Sequence, residues 1–238
     1  MSFESVSILI VTSNETTALK ETVETILSEC DSSDISEIMI ITGDISTPEN
    51  LETVRELCKK DCGVNIHNYH QKKPFVGMAF REAIKLAKGS HMITMVSDGE
   101  MDVSAVSRMI AKSKEYPDAI VTTSRWIKGG GFDGYSKVKL LCNRIFQEML
   151  RILFRSKLTD ITNCYQISPL KVMQSIDFKE EKHPFFLESV LIPMLQGTEI
   201  IEIPCMWKRR TDGLDETVLL RCFPYFRTAF RIKKEYKR

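Results

Sequence analysis

The chain has 238 residues, of which 43% are hydrophobic and 27% are charged, a composition that supports a packed core and argues against extended disorder. No run of about 18 apolar residues is free of charge, which argues against a spanning helix, and the first twelve residues lack the basic segment of a secretory signal. The net charge of +1 hides an asymmetry, because residues 1–118 carry 12 basic and 19 acidic side chains, whereas residues 119–238 carry 21 and 13. The basic second half therefore suits phosphates or an anionic membrane.

Strands and helices alternate along the first half. Short β-branched runs predict strands at 5–12, 38–42, 64–69, 91–97 and 119–123. Helical spacing of apolar residues predicts helices at 16–27, from 48 onward, at 77–87 and at 103–115. This alternation predicts an α/β fold, with a mostly parallel sheet covered by helices on both faces.

The pattern changes after residue 124. Three consecutive glycines at 129–131 precede a long amphipathic helix at 137–154, and further strands are predicted at 160–167 and 199–203, with a helix at 184–195. Residues 216–238 form a basic amphipathic segment that Pro224 is expected to interrupt. We expect a single domain over 1–238. It consists of a first half, 1–118, that holds the main ligand site, a second half, 119–215, and the basic amphipathic segment 216–238.

Ligands of an open parallel sheet bind outside the carboxyl ends of its strands. The residues that follow those ends are Thr12, Ser13, Asn14, Glu15, Gly43, Asp44, Asp98, Glu100, Ser124 and Arg125, and all but Gly43 are polar. Acids and an arginine that converge on one edge suit a divalent metal and a phosphorylated ligand.

Asp98 and Glu100 lie two residues apart at the end of a predicted strand. In extended backbone this spacing points both carboxylates the same way, so both can reach one hard cation. The competing interpretation is a solvated acidic turn. No Gly-x-Gly-x-x-Gly or Walker loop is present, which disfavours a dinucleotide site. Seven scattered cysteines, an odd number, indicate reduced thiols and a cytoplasmic protein.

Eight segments follow one another in the order of a known set of motifs. They are 11–15 (VTSNE), 43–47 (GDIST), 76–79 (VGMA), 95–100 (MVSDGE), 124–131 (SRWIKGGG), 160–165 (DITNCY), 186–188 (FLE) and 204–213 (PCMWKRRTDG). Together they resemble the family 2 glycosyltransferases with the GT-A fold, and most closely the dolichyl- or polyprenyl-phosphate mannose or glucose synthase branch. Gly43 and Val96 stand where the family has aspartates.

The resemblance implies roles for individual residues. It implies that residues 1–118 bind the nucleotide-sugar and the metal, with Mg²⁺ or Mn²⁺ on Asp98 and Glu100, and that residues 119–215 bind the acceptor. The implied catalytic residues are Asp98, Arg125, Glu188 and Arg210. The implied nucleotide contacts are Thr12, Asn14, Glu15, Asp44, Gly77 and Ser97. Lys139 and Arg144 are candidates for holding an acceptor phosphate.

The implied reaction is an inverting, metal-dependent transfer from a GDP- or UDP-sugar. A polyprenyl phosphate acceptor is already an anionic nucleophile, so it needs no strong base. A polysaccharide or glycan hydroxyl is the alternative acceptor, and it would need a carboxylate base such as Glu188 or Asp160. A degenerate, non-catalytic nucleotide-sugar-binding protein is a further alternative. Nucleic acid is disfavoured as a partner, because the aromatic residues of the basic half alternate with apolar helix positions.

Residues 221–238 contain seven basic side chains and one acidic side chain, with aromatic residues between them. Such a segment can lie on an anionic bilayer, which predicts peripheral attachment to the cytoplasmic face of a membrane. The competing interpretation is a terminal helix that packs on the domain and exposes a basic face.

Overall fold

The computed structural model describes residues 2–209 and 218–236, which form nine strands and eight α-helices. The strands are β1 (Val6–Val11), β2 (Ile35–Thr42), β3 (Ile66–His70), β4 (His91–Val96), β5 (Ile120–Ser124), β6 (Gly131–Asp133), β7 (Gln166–Pro169), β8 (Ile200–Pro204) and β9 (Met206–Lys208). The helices are α1 (Thr17–Glu29), α2 (Pro48–Cys58), α3 (Val76–Leu86), α4 (Ala105–Glu115), α5 (Lys137–Phe154), α6 (Leu170–Gln174), α7 (Phe185–Gln196) and α8 (Val218–Glu235).

Seven strands form the central sheet in the order β3-β2-β1-β4-β7-β5-β8. Only β7 runs against its neighbours, between β4 and β5. The pairs β1–β2, β1–β4, β2–β3 and β5–β8 are parallel. The mostly parallel α/β sheet predicted from the sequence is confirmed, and the carboxyl ends of β1, β2, β4 and β5 lie along one edge.

Helices cover both faces of this sheet, because successive strand residues point to opposite sides. In β1, Leu9 packs in the core beneath α3, α5, α7 and α8, whereas Ile8 and Ile10 pack in the core beneath α1, α2 and α4. Within the described residues, no helix combines the length and the apolarity that crossing a bilayer requires.

Two sequence predictions are corrected in the second half. The strand predicted at 160–167 starts only at Gln166, because residues before it form a turn whose backbone N–H groups bind side chains, as Ile161 N does to Oε1 of Gln147 at 2.9 Å. The helix α8 continues through Pro224 instead of breaking there. The Thr228 hydroxyl donates to the Pro224 carbonyl at 3.0 Å.

The short strands β6 and β9 form a separate two-stranded sheet that the sequence analysis missed. They join the glycine-rich loop after β5 to the chain that follows β8. A Cβ on Gly130 would lie 2.5 Å from the carbonyl oxygen of Ser124, so only glycine allows this close approach. The loop is thereby folded back against the carboxyl end of β5.

The buried carboxylate of Glu37 connects three segments at the edge of the sheet where the parallel strands begin, opposite their carboxyl ends. Glu37 in β2 accepts hydrogen bonds from the Ser7 hydroxyl at 2.7 Å and from the Lys88 backbone N–H at 2.9 Å, and it contacts Nε2 of His67 at 3.0 Å. Burial pushes the pKa of Glu37 up, but these hydrogen bonds outweigh it, so the pKa lies below its ordinary value.

We expect Glu37→Gln to lower the free energy of unfolding at neutral pH by about 1–3 kcal/mol, because an amide offers one accepting oxygen instead of two. A depressed folded-state pKa stabilises the protein above the ordinary value of 4.5 and loses that effect as the pH falls. Urea unfolding of wild type and variant should therefore converge on acidification. Glu52→Gln, at an exposed carboxylate, is the matched control. A gap that persists at low pH would contradict this account.

Candidate active site

The loop after β1 is organised around one oxygen of Glu15. Oε2 of Glu15 accepts hydrogen bonds from the Thr12 hydroxyl at 3.1 Å and from the backbone N–H groups of Ser13 and Asn14 at 2.9 and 3.1 Å. Burial raises the pKa of Glu15, yet the backbone hydrogen bonds outweigh burial and lower it. The carboxylate is therefore a fixed negative charge at neutral pH, with the exposed Asn14 beside it.

Asn50 in α2 holds this loop in place, and the sequence analysis missed it. Its Nδ2 donates to the Thr12 hydroxyl at 2.7 Å and to the Glu15 carbonyl at 2.5 Å. The Thr47 backbone N–H donates to the Ser13 carbonyl at 2.8 Å. Thr12 is buried in this network, so its hydroxyl has a structural role. An asparagine in the first turn of a helix gave no signal of this long-range contact.

The end of β2 presents an exposed acid beside a histidine. Oδ1 of Asp44 lies 2.9 Å from Nε2 of His70, a residue of β3 that was not assigned to the site from the sequence. Gly43 stands where the family has an acid, and a Cβ at this position would lie 3.1 Å from Cγ of Gln71. The side chain of Gln71 therefore occupies the space beside Gly43 and places an amide there.

Two of the expected nucleotide contacts have structural partners. Ser97 is buried, and its backbone N–H and hydroxyl both point to the Val11 carbonyl, at 3.3 and 3.4 Å. Gly77, in the first turn of α3, packs directly against the backbone of Glu181. A Cβ at this position would lie 2.7 Å from the Glu181 carbonyl, so a larger residue would clash. Both residue types thus have a packing explanation, and their contact with a nucleotide stays a prediction.

Asp98 and Glu100 share one tight turn after β4. Oδ1 of Asp98 accepts from the Glu100 backbone N–H at 3.0 Å, and Gly99 between them has a φ of +71°. The β9 segment closes on this turn from the other side. The Trp207 indole N–H donates to Oε2 of Glu100 at 3.0 Å, and the Lys208 N–H donates to the Glu100 carbonyl at 2.7 Å.

These two carboxylates fit a divalent cation that is shared with a diphosphate. Within residues 2–209 and 218–236, no three His, Cys, Asp or Glu side chains are grouped closely enough to hold a metal by themselves. Mg²⁺ is usually held by one or two carboxylates together with substrate phosphates and water. The pair Asp98 and Glu100 would supply that protein share, and the hydrogen bond from Trp207 that orients Glu100 suits this role.

Arg125 lies at the same edge but is already paired. Its Nε and Nη2 contact the carboxylate of Asp160 at 2.6 and 2.8 Å, and Asp160 is fully buried while the Arg125 side chain is 12% exposed. Burial lowers the pKa of Arg125, but Asp160 outweighs it and raises the pKa. Asp160 therefore holds the Arg125 guanidinium in a fixed position, and the expected contact of Arg125 with the diphosphate stays a prediction.

Glu188 is fully buried between α7 and α8. Its Oε1 contacts Nη2 of Arg231 at 2.5 Å, and its Oε2 accepts from the backbone N–H groups of Lys179 and Glu180 at 3.0 and 2.9 Å. Burial raises the pKa of Glu188 despite these partners. These contacts give Glu188 a structural role, and the catalytic role expected from the sequence stays a prediction.

The cations expected at the acceptor phosphate lie on α5. Arg144 pairs with Glu148 at 2.7 Å, and its guanidinium carbon lies 5.1 Å from the ring centre of Trp126. Lys139 lies half-buried in the first turn of this helix. Arg210 lies outside the described residues, so its expected role stays a prediction.

Four aromatic rings connect the carboxylate turn to α5, and we call them the aromatic row. Their centres are 4.8 Å apart for Trp126 and Phe132, 5.0 Å for Phe132 and Tyr135, and 4.6 Å for Tyr135 and Trp207. Because Trp207 also binds Glu100, the row begins at the carboxylate turn and ends at the helix that carries Arg144. The sequence analysis missed this arrangement.

Comparison with known proteins identifies the family. The model of the family described as "Glycosyl transferase family 2" matches residues 7–176, more than half of the chain. The chain belongs to glycosyltransferase family 2. The match includes the ends of β1, β2, β4 and β5 that carry the candidate site.

Solved structures of glucosyl-3-phosphoglycerate synthase from Mycobacterium tuberculosis share the fold of this glycosyltransferase. The complex with UDP superposes with a TM-score of 0.70 at 12% identity and covers 98% of this chain and 80% of that chain. The complex with Mn²⁺, UDP-glucose and phosphoglyceric acid has a TM-score of 0.69 at 13% identity, over 98% and 79% of the two chains. The complex with Mg²⁺ and UDP has a TM-score of 0.70 at 12% identity, over the same shares.

These comparisons confirm the GT-A fold and the enzyme class that the sequence motifs predicted. The non-catalytic alternative is therefore disfavoured. The solved structures named above are glucosyl-3-phosphoglycerate synthases, so they do not show the polyprenyl-phosphate branch, and at 12–13% identity they establish only the fold.

The hydrogen bond from Trp207 to Glu100 leads to a prediction about the metal. We expect Trp207→Phe to raise the Mn²⁺ concentration for half-maximal activity about tenfold, because the carboxylate loses the donor that orients it. Trp126→Phe is the matched control, since the Trp126 indole nitrogen is buried without a hydrogen-bond partner among the described residues. Equal Mn²⁺ titration curves for the two variants would contradict the positioning role.

Proposed function

We propose that this glycosyltransferase transfers a sugar from UDP-sugar to polyprenyl phosphate, with inversion at the anomeric carbon. One observation favours this acceptor. Asp160 and Glu188, the two carboxylates that the sequence offered as bases for a hydroxyl acceptor, are both buried in ion pairs with arginines. A phosphate acceptor is already anionic and needs no base to remove a proton.

The donor end of the site is assigned to the loops after β1 and β2. Glu15 and Asp44 would hold the ribose and the base, beside Asn14 at the same edge. The fixed charge of Glu15 and the exposed carboxylate of Asp44 support this assignment, since both can accept hydrogen bonds from hydroxyl or ring N–H groups. We favour UDP over GDP because the neighbouring structures contain UDP or UDP-glucose.

Asp98 and Glu100 would hold the cation, which we take to be Mn²⁺ or Mg²⁺ as in those structures. When bound, such a cation neutralises the charge that grows on the leaving diphosphate. Trp207 keeps Glu100 in position for this task. Lys139, Arg144 and Arg210 would hold the phosphate of the acceptor, next to the aromatic row.

A second candidate acceptor is a small phosphorylated acid. The structural neighbours include complexes with phosphoglyceric acid and glycerol 3-phosphate. Both candidate acceptors carry a phosphate that Lys139 and Arg144 could bind, but they differ in their apolar part. A glycan hydroxyl is the weaker alternative, because its expected bases are buried.

A direct competition distinguishes these acceptors. UDP-[¹⁴C]glucose and other labelled UDP-sugars are incubated with Mn²⁺ and with polyprenyl phosphate, 3-phosphoglycerate or a soluble glycan. We expect labelled product in the organic phase with polyprenyl phosphate, and none with Asp98→Asn. Product found only in the aqueous phase would reject the lipid acceptor, and the compound that is labelled would identify the alternative.

A lipid acceptor also requires that the enzyme works at a membrane surface, which we place at the cytoplasmic face. The basic character of residues 221–238 supports this location.

A further inference from the structure

The outer face of α5 is apolar. Ten large hydrophobic side chains are exposed in the described part of the chain, and five of them lie on this one helix, with 47–76% of their surface exposed. They are Val138, Leu141, Ile145, Met149 and Ile152. At 3.6 residues per turn they fall within an arc of about 80° and form a continuous stripe.

The apolar face continues onto α8, which packs beside α5. The rings of Phe146 and Phe226 lie 5.1 Å apart, and Nζ of Lys233 donates to the Leu153 carbonyl at 2.7 Å. Phe230 lies between these two contacts in the sequence of α8 and is 61% exposed. We call the stripe of α5 together with Phe230 the α5–α8 surface.

Basic side chains flank the α5–α8 surface. Along one side of the stripe a basic residue recurs every seven positions, at Lys137, Arg144 and Arg151. The single acidic residue on that side, Glu148, contacts both arginines. On α8, exposed Arg227 and Lys234 lie three residues before and four residues after Phe230. The surface is therefore apolar at its centre and positive at its margins.

We propose that the α5–α8 surface docks on an anionic lipid bilayer. An apolar stripe with basic margins is the pattern of helices that lie in the membrane interface, where lysine and arginine meet anionic headgroups. A second copy of this chain fits less well, because self-association through this surface would bring like charges together. No described helix can span the bilayer, so the attachment is interfacial.

The position of the surface deepens the proposed function, on which this part of the inference rests. Tyr135, the second ring of the aromatic row, lies two residues before α5 begins, and Trp126 at the far end of the row contacts Arg144 on α5. Docking through α5 would bring the acceptor side of the site to the headgroup layer, where the phosphate of a membrane-bound acceptor lies. The membrane would then deliver the acceptor to Arg144 without removing its chain from the bilayer.

Vesicle co-sedimentation of the full chain, with no donor or acceptor present, tests the docking. The vesicles contain phosphatidylcholine alone or phosphatidylcholine mixed with phosphatidylglycerol. We expect binding to the anionic vesicles that weakens with salt, and about tenfold weaker binding for the double variant Leu141→Asn/Ile152→Asn. Leu86→Asn, at an exposed leucine of α3, is the matched control and should bind like wild type.

A charge variant provides a second test that does not depend on the apolar replacements. Lys137→Gln/Lys234→Gln should weaken binding to anionic vesicles several-fold, and Lys85→Gln on α3 should not. Asp98→Asn should bind vesicles like wild type even though it is inactive, so failure of the proposed reaction and failure of docking are distinguishable. Circular dichroism melting checks that each variant is folded.

Three results would overturn the proposal. Wild type that stays in the supernatant with anionic vesicles at low salt rejects it. Equal binding of wild type and both double variants places the contact elsewhere. A dimer in analytical ultracentrifugation that Leu141→Asn/Ile152→Asn dissociates, without vesicle binding by wild type, would assign the surface to a second copy of the chain.

Discussion

Replacing Asp98 with asparagine should reduce sugar transfer about a thousandfold while leaving the protein folded. The carboxylate is partly exposed in a turn at the edge of the sheet, so the amide can keep the hydrogen bond from the Glu100 N–H. What it loses is the negative charge that a divalent cation requires, and with it the neutralisation of the leaving diphosphate. Initial rates at saturating Mn²⁺, together with a thermal melt, measure both quantities.

Asp102→Ser is the control for this experiment, because it lies in the same acidic segment. Asp102 accepts hydrogen bonds from the N–H and hydroxyl of Ser104 and pairs with Arg108 at 3.2 Å, so its role is to start α4. A serine hydroxyl can still accept the hydrogen bond from the Ser104 N–H in this turn, and activity should stay within about threefold of wild type. An Asp98→Asn enzyme as active as Asp102→Ser would reject the metal assignment.

The second large effect concerns stability. Arg231→Met should lower the free energy of unfolding by about 3–5 kcal/mol, because it leaves the fully buried Glu188 without its cation. The double variant Arg231→Met/Glu188→Gln should recover part of that loss, since no buried charge remains. Urea unfolding at neutral pH measures the three variants against wild type.

Glu188→Gln also decides between the two interpretations of this residue. If Glu188 joins α7 to α8, the single variant should melt earlier but keep its transfer rate per folded molecule within about threefold, with an unchanged pH profile. Additive losses in the double variant would contradict the ion pair. A Glu188→Gln enzyme with wild-type stability and no activity would restore the catalytic role expected from the sequence.

The position of the site was predictable because it depends on topology. Alternating strands and helices imply a parallel sheet, and a parallel sheet brings its strand ends to one edge. Glu15, Asp44 and the pair Asp98 and Glu100 follow strands that the sequence predicts, and the structure places all of them at strand ends. Their ligands stay predictions that the experiments above address.

The partners of the buried charges were not predictable from local sequence. Arg125 binds Asp160, which is 35 residues away, and Glu188 binds Arg231, which is 43 residues away. Each of these residues looks like a functional charge until its partner is known, because periodicity reports only which face of an element is apolar. The same limit hid Asn50, whose contacts are made 38 and 35 residues away in the chain.

Short elements were missed for a different reason. The strands β6 and β9 have three residues each, too few for an alternating pattern to be distinguished from a loop. The apolar residues at 161–165 were interpreted as part of a strand, but they are buried in a turn whose backbone is held by side chains such as Gln147. In both places tertiary contacts, and not local propensity, determine the backbone.

We expect this edge of the sheet to bind a complex of a metal ion with a diphosphate. Calorimetric titration of UDP into the full chain, once with Mn²⁺ and once with EDTA, is the most direct test. The account predicts that Mn²⁺ strengthens UDP binding at least about tenfold in wild type and has no such effect in Asp98→Asn. Binding of UDP with equal affinity in Mn²⁺ and EDTA, or no binding of either UDP or GDP with metal present, would contradict it.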